Sequence, residues 1–381
     1  MKLLHTSDWH LGMTIRGAGS YLDDQRYAIG GICDIAEKEQ VDGILLAGDI
    51  FDRSIASPEA VKLYDEVMTH ICADLGIRVY LIAGNHDSAE RISQCRDLLK
   101  KSGLFIAGAL TKEVQVVQEG DTDIYLLPWI STDKVRSFFP DKADCIDSME
   151  DAYRTVLDSY REHFVPGHRN ILVSHAFIVN AETSVSDRAA EIGSASMVGS
   201  SVFDGFDYVA LGHLHAPQDI TETIRYSGSL MAYSFGKEEK QEKSVTIIDT
   251  DDMSRKVIPV PQLRKRTTLK GTYGELLQAE QEKEILEGYV RLEVTDSFVG
   301  LEAAAALKEK YDNLLEIAGK SLERDDAGIT MSMDEFDEVS SDPESVFRRY
   351  CEDTMGEEPD GRLMGLFRSA LSRFEREITA G

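Results

Sequence analysis

Apolar residues along the chain fall into two patterns. Short continuous runs break off abruptly at polar clusters. Gly43 to Ala47 ends at Gly48-Asp49, and Arg78 to Ala83 at Gly84-Asn85-His86-Asp87. Asn170 to Val173 ends at Ser174-His175, and Asp207 to Leu211 at Gly212-His213-Leu214-His215. Runs of this length and kind read as strands buried on both faces. Between them lie stretches whose apolar positions are three and four apart, which predict helices. Residues 23–40 carry Tyr27, Ile32, Ile35 and Ala36, and residues 57–75 carry Val61, Tyr64, Val67, Met68 and Ile71. Residues 148–164 carry Tyr153, Val156, Leu157 and Tyr160. Ser57-Pro58 supplies a cap and first-turn proline for the second helix, and Gly76 closes it. A short strand within residues 1–10 leads into Asp8-Trp9-His10. The first 90 residues thus read strand, helix, strand, helix, strand, a βαβ series with a mainly parallel sheet. Asp123 to Trp129 is a further strand. Ile224 to Ser227 and Ser244 to Asp249 read as the antiparallel remainder of a β-sandwich. The fold class is therefore α/β, a two-sheet β-sandwich flanked by helices.

The pattern changes near Pro259-Val260-Pro261, so residues 1–262 form a first domain. A small α/β unit follows over 263–322, with a helix over 273–286, a strand over 288–295 and a helix over 300–317. From Glu323 to Glu344 there are nine acids and one base, which makes 323–342 a flexible acidic linker. Residues 343–381 predict two amphipathic helices. Val346, Phe347 and Tyr350 form one patch, and Leu363, Leu366, Phe367, Ala370, Leu371 and Phe374 form a stripe.

Composition narrows the class. With 381 residues, 42% of them apolar, the chain has ample core for more than one domain. No apolar run is long enough to span a bilayer, so no membrane is expected. Met1-Lys2-Leu3-Leu4-His5 reads as a strand and not as a signal peptide. The five cysteines are scattered without a CxxC pair, which reads as reduced, structural and cytoplasmic. The net charge of −27 argues against a nucleic-acid partner, because phosphate affinity comes from clustered Lys and Arg. Bound metal ions and the uneven spread of the acids weaken that argument.

The polar strand ends carry the chemistry. Asp8, His10, Asp49, Asn85, His175, His213 and His215 form a carboxylate, amide and imidazole set without cysteine, which does not suit structural zinc. Seven donors exceed one ion with open positions, but suit two ions sharing a carboxylate, the standard device for phosphoester hydrolysis. Asp8, His10 and His215 can reach one ion, and Asn85, His175 and His213 the other. Asp49, ending the central strand, is the best bridge. His86 is then left over, to protonate a leaving oxygen or to steady charge on phosphate. Asp52 and Asp87 are candidates to orient imidazoles. His5, His70, His163 and His168 lack this context and read as ordinary histidines. The loop from Ala176 to Ser201 is long and rich in Ser and Gly, as functional loops often are.

Asp-X-His, Gly-Asp-X-X-Asp, Gly-Asn-His-Asp, His and Gly-His-X-His, in this order, resemble the calcineurin-like metallophosphoesterase superfamily. Narrower stretches are similar to the SbcD family of bacterial nuclease subunits. These are His5 to Gly12, Gly48 to Arg53, Ala83 to Ser88, Asp207 to His215, Tyr226 to Leu230 and Tyr233 to Phe235 before Lys243-Ser244-Val245. The resemblance implies a DNA nuclease using two Mn²⁺ ions, with Mg²⁺, Fe²⁺ or Zn²⁺ as substitutes. It implies a 3′→5′ double-strand exonuclease and a single-strand or hairpin endonuclease, serving DNA repair, recombination and replication. It further implies a homodimer through the nuclease domain, a capping role for 263–322, and docking of 343–381 on an SbcC ATPase subunit. The seven donors are its metal ligands and His86 its catalytic histidine. Arg16, Arg53, Arg91 and Arg188 stand near the motifs and could touch phosphate. A phosphoesterase acting on a phosphoprotein or nucleotide would use the same ligands. A non-catalytic scaffold bound through the C-terminal helices would not need them.

Overall fold

The computed structural model describes residues 1–15, 19–187, 197–297, 301–320, 329–332, 344, 347, 348, 361 and 363–368. The chain forms two compact units, Met1–Thr14 with Ser20–Arg266, and Ile15–Gly19 with Thr267–Gly381. In the first unit β1 (Lys2–Thr6), α1 (Leu22–Glu39), β2 (Gly43–Ala47), α2 (Pro58–Thr69), β3 (Arg78–Ile82) and β4 (Leu104–Ala107) follow one another. Next come β5 (Val116–Glu119), β6 (Thr122–Leu127), α3 (Met149–Arg161), β7 (Arg169–His175) and β8 (Tyr208–Gly212). The last are β9 (Gln218–Asp219), β10 (Ile224–Tyr226), β11 (Ser244–Asp249) and β12 (Arg255–Pro259).

Helices α2 and α3 start where a side chain satisfies their free N–H groups. Ser57 accepts from Ala60 N at 3.2 Å with Pro58 in the first turn. Ser148 and Asp151 form a reciprocal capping box at the start of α3. α1 ends where Gln40 turns left-handed, at φ 55°.

The strands form two six-stranded sheets. The first has the order β12-β11-β1-β2-β3-β4, with β1 to β4 mutually parallel and β11 antiparallel to β1. The second has the order β9-β10-β8-β7-β6-β5, with β10, β8, β7 and β6 mutually parallel. The βαβ reading of the first 90 residues is thus the parallel half of the first sheet. Of the two strands expected to be antiparallel, residues 244–249 are so, pairing antiparallel with β1, and residues 224–226 differ from expectation. The two lie in different sheets, and β10 runs parallel to β8.

Alternation within each strand builds the layers. Leu45 and Ala47, Tyr80 and Ile82, Ile171 and Val173, and Tyr208 and Ala210 fill one buried cluster shared by both sheets. The intervening Ile44, Leu46, Val79 and Leu81 pack with α1 and α2 residues such as Ile29, Ile32 and Leu63. Leu172, Val209 and Leu211 pack with Tyr153, Val156, Leu157 and Tyr160 of α3. The result is helix, sheet, sheet, helix, with both faces of each central strand covered. This explains runs without a polar position. Each such Leu or Ile side chain contributes roughly 1.5–3 kcal/mol through its burial. His5 crosses the sandwich interior: Tyr208 Oη lies 3.0 Å from Nδ1 and the Leu211 carbonyl 3.1 Å from Nε2. Burial pushes its pKa down to about 3, so it stays neutral and ties β1 to β8.

The second unit has a four-stranded sheet, Arg266–Gly271, Tyr289–Ser297, Asn313–Lys320 and Ile329–Ser332 in that order. Its core joins Leu276, Val290, Leu292, Val294, Leu307, Tyr311 and Leu314. Three expectations change. The helix expected over 273–286 is two short helices, Tyr273–Gln278 and Lys283–Glu287. The helix expected over 300–317 ends at Lys310, and Asn313–Lys320 is a strand parallel to Tyr289–Ser297. Leu314 and Ile317 fit a helical stripe by spacing, but pairing with a buried strand decides the outcome. Within the expected linker 323–342, Ile329–Ser332 pairs antiparallel with Asn313–Lys320. The unit boundary falls after Arg266, four residues beyond the expected position at 262. In the C-terminal segment the Phe347 and Phe367 rings stack at 4.2 Å. Val346, Tyr350, Ala370, Leu371 and Phe374 lie outside the described residues.

Candidate metal centre

Every polar cluster singled out in the sequence lies at or just beyond the C-terminal end of a parallel strand. Asp8 and His10 follow β1, Asp49 follows β2, and Asn85 and His86 follow β3. His175 ends β7, and His213 and His215 follow β8. Open α/β sheets bind ligands at this edge, and here the edges of two sheets contribute to one site.

The backbone is forced to present these groups. Asp8, His10, Asp49 and His213 take left-handed φ values of 52°, 45°, 51° and 105°. Such residues cost on the order of 1–3 kcal/mol each and persist where surrounding structure over-determines them. Hydrogen bonds from Asp8 N to Gly48 O and from His10 N to Asp49 O, both 3.0 Å, do so here. The motif glycines permit the close approach: a Cβ on Gly84 would strike Asp49 Oδ1, and one on Gly212 the Ala47 carbonyl.

Asp49 is central. Its Oδ2 lies 3.4 Å from His175 Nε2, 3.7 Å from His10 Nε2 and 3.9 Å from His86 Nε2. Its Oδ1 accepts from His86 N at 3.0 Å. Asn85 Oδ1 lies 2.9 Å from His175 Nε2 and 3.1 Å from His213 Nδ1. Asp8 accepts from the Ser7 hydroxyl and, at 2.9 Å, from His213 N. His10 Nε2 faces His215 Nε2 at 3.0 Å. All seven expected donors are thus brought into one cluster.

Donor chemistry fits divalent ions. Among the described residues three groups present ligand atoms within 4.8 Å of one another: Asp8-His10-His215, His10-Asp49-His86 and Asp8-Asp49-His175. The first is the triad expected for one ion. Asp49 belongs to both of the other groups. His86 enters a ligand-capable group although it was expected to stay outside the ligand set. His10 Nδ1 is buried without a hydrogen-bond partner, and the His10 and His215 Nε2 atoms converge on one another. Imidazole and carboxylate donors at this density suit a divalent metal ion.

The cluster's own electrostatics show what a cation must displace. Burial, with Asp49 beside it, pushes Asp8 up to about 8 against the pull of His175. Burial would lower His175, but the Asp49 carboxylate lifts it to about 9. Although burial opposes its ionisation, Asp49 is held well below the usual carboxylate range by His175, His10 and His86. Burial pushes His213 down to about 3 and lowers His10 and His215. At pH 7 the metal-free cluster therefore holds protons on Asp8 and His175. Loading Mn²⁺ at this pH is expected to release about two protons. Affinity should rise with pH up to about 9, because the protonated forms do not ligate. Calorimetric titration in buffers of different ionisation enthalpy checks this. A binding heat independent of buffer contradicts it.

The remaining expected residues are placed as follows. His86 Nδ1 donates to the backbone carbonyl of Asp52 at 2.8 Å, so Asp52 orients this ring through its main chain. Asp87 corrects its expectation: its carboxylate accepts from the N–H groups of Ile50, Phe51 and Gly84 at 2.9–3.1 Å, clamping two loops and not an imidazole. Arg53 is exposed and paired with Asp52 at 3.3 Å. Arg91 is exposed on the short helix Ala89–Ile92. Arg16 and Arg188 lie outside the described residues. His70, His163 and His168 make local bonds to Asp74, the Ser159 carbonyl and Asp123.

Sequence reading missed the shell behind the donors. Trp129 stacks on His213 with centroids 5.5 Å apart and rings 20° from parallel. Ser186, Asp187, Glu238 and Lys243 cluster behind His215. The length of the 176–201 loop was the one available signal for Ser186 and Asp187. The stretch holding Glu238 has no apolar period to mark it.

Comparison with known proteins gives the family. Residues 1–217 match the calcineurin-like phosphoesterase family. The SbcD component of the SbcCD nuclease of Staphylococcus saprophyticus is 32% identical over 326 residues, 85% of this chain and 86% of that protein. This chain is a calcineurin-like phosphoesterase of the SbcD family. The SbcD component of the same nuclease from Staphylococcus epidermidis is 31% identical over 84% of this chain and 85% of its own length. Among solved structures, TT1561 of Thermus thermophilus aligns with 68% of this chain and 99% of its own, at 11% identity and a TM-score of 0.37. No helix among the described residues is long and apolar enough to cross a membrane.

Proposed function

We propose that this chain is the nuclease subunit of an SbcCD-type complex, hydrolysing DNA phosphodiester bonds at a centre of two divalent ions. The observation that carries the reading is the match over about 85% of the chain to relatives named as components of the SbcCD nuclease. The convergence of seven donors at one sheet edge supports the two-ion centre. Asp8, His10 and His215 would hold one ion and Asn85, His175 and His213 the other, with Asp49 available to both. Mn²⁺ is the proposed metal.

When bound, such ions supply Lewis acidity and a nucleophilic water at neutral pH. The protein's own groups do the rest. His86, fixed by its Nδ1–H bond to the Asp52 carbonyl, directs Nε2 at the cluster and, as the imidazolium with both nitrogens protonated, would give its Nε2 proton to the departing sugar oxygen, leaving a neutral ring. The strained turns at Asp8 and Asp49 hold carboxylates in place before substrate arrives, so little reorganisation is needed at the reacting phosphate. A site that meets phosphate and not base edges cuts without sequence preference. At a net charge of −27 DNA must be held by local cations, and Arg53 and Arg91 are proposed contacts. The proposal extends to 3′→5′ exonuclease and hairpin endonuclease activity in DNA end processing, a homodimer through the first unit, cytoplasmic location, and docking of 343–381 on SbcC.

The test offers labelled hairpin duplex DNA beside p-nitrophenyl phosphate and its bis ester, with Mn²⁺, to the full chain alone and with SbcC and ATP. Mn²⁺-dependent DNA cleavage that EDTA removes is expected. Turnover of the monoester with DNA intact in both conditions would instead assign a phosphoprotein or nucleotide phosphoesterase.

A further inference from the structure

Glu238 is an unusual residue for a polar loop: it is fully buried. Its carboxylate is also saturated with donors. Oε1 accepts from Lys243 Nζ at 2.9 Å and from Tyr233 N at 3.1 Å. Oε2 accepts from Ser234 N at 2.9 Å, Ser234 Oγ at 2.5 Å and Ser186 Oγ at 2.7 Å. Lys243, also buried, is itself pinned to the His215 carbonyl at 2.8 Å and to Ser229 Oγ at 3.0 Å. Nothing in the two-ion reading uses this assembly, yet it ends on a proposed ligand. Ser186 Oγ lies 2.6 Å from His215 Nδ1.

The proton inventory gives the chain of bonds a direction. A carboxylate paired with lysine only accepts, so Ser186 must give its single hydroxyl proton to Glu238. Its oxygen is then an acceptor toward His215, and Nδ1 must carry the ring proton. Nε2 is left bare and faces His10 Nε2. Asp187 lies close but does another task. Its Oδ1 accepts from His215 N at 3.1 Å and its Oδ2 from Ser184 N at 2.6 Å, pinning the loop to the end of β8. Asp187 Oδ1 is 3.7 Å from His215 Nδ1, beyond hydrogen-bond reach.

We propose that Ser186, braced by the buried Glu238–Lys243 pair, is the positioning residue of His215, selecting the tautomer that offers Nε2 to the ion shared with Asp8 and His10. This rests on the two-ion reading above. It makes the Ser184–Asp187 stretch and the Tyr233-Ser234 segment parts of one ion site and not of the other. Such partners tune ligand affinity by about 10- to 100-fold.

The test is Mn²⁺ binding to the full chain, followed by calorimetry and by metal content after dialysis, for wild type, Ser186→Ala and Ser186→Thr. Wild type should hold two ions. Ser186→Ala should weaken one of them by about 10- to 100-fold and leave the other unchanged. Ser186→Thr, which keeps the hydroxyl, should bind as wild type. Ser186→Ala binding both ions like wild type overturns the inference and leaves the two-ion reading intact. Equal weakening of both ions also overturns it, because the effect is then general. A wild type without bound Mn²⁺ overturns the two-ion reading, and the inference with it. A second measurement needs no variant. Histidine ¹⁵N–¹H correlation spectra of the metal-free wild type should show His215 as the Nδ1–H tautomer, and an Nε2–H tautomer overturns the proposal even if Ser186→Ala fails to fold.

Discussion

Asp49→Asn is expected to lower Mn²⁺-dependent DNA cleavage by about 10²–10³-fold. The substitution keeps the size of the side chain and removes its charge. Asp49 lies within 4 Å of His10, His86 and His175 together, so its loss touches several parts of the cluster. The two parts respond differently. His10 and His215 still converge, and Asp8 retains its bond from His213 N. His175 loses the carboxylate that lifts it to about 9. Its proton is then held less tightly, but the amide that replaces Asp49 is a poorer bridge. Residual binding of about one ion with cleavage lost is the expected pattern, read by metal content alongside a gel assay. Full activity with an intact pair of ions would remove Asp49 from its bridging role.

His86→Ala is expected to act on turnover and not on loading. A positioned general acid contributes typically about 10²–10⁴-fold, so kcat should fall by that factor. The ring is anchored to the Asp52 carbonyl, outside the Asp8-His10-His215 and Asn85-His175-His213 triads, and metal content should be unchanged. The rate lost should depend on the leaving group. A substrate ester of p-nitrophenol, which departs without protonation, should be hydrolysed nearly as fast by His86→Ala as by wild type. DNA, whose sugar oxygen needs the proton, should show the full loss. The proximity of His86 Nε2 to Asp49 at 3.9 Å makes the alternative outcome concrete. If the variant also loses an ion, His86 is a ligand.

The donors were legible because strands covered on both faces leave no polar position until the sheet ends. A histidine or aspartate at that point is conspicuous against Leu45-Leu46-Ala47 or Val209-Ala210-Leu211. Topology at the sheet edges was less legible. β10 is only the three residues Ile224-Arg225-Tyr226, and long-range pairing places it and β11 in different sheets. β12 is mostly exposed, so its sequence carries little apolar signal. In the second unit Leu314 and Ile317 satisfied helical spacing, while pairing with Tyr289–Ser297 required a strand. The residues behind the donors were invisible for a different reason. Ser186 and Glu238 are polar residues in polar segments, and their burial comes from contacts between parts of the chain 52 positions apart. Asp87 shows the converse error: its place beside His86 suggested an imidazole partner, whereas three backbone N–H groups claim its carboxylate.

The central claim is that five strand ends make one centre for two ions bridged by Asp49. Electron paramagnetic resonance of the Mn²⁺-loaded full chain tests it most directly, because two Mn²⁺ ions sharing a carboxylate at roughly 3.5–4 Å are exchange-coupled. A coupled multiline spectrum is expected in the wild type, converted by Asp49→Asn to that of isolated ions. An isolated-ion spectrum in the fully loaded wild type would contradict it.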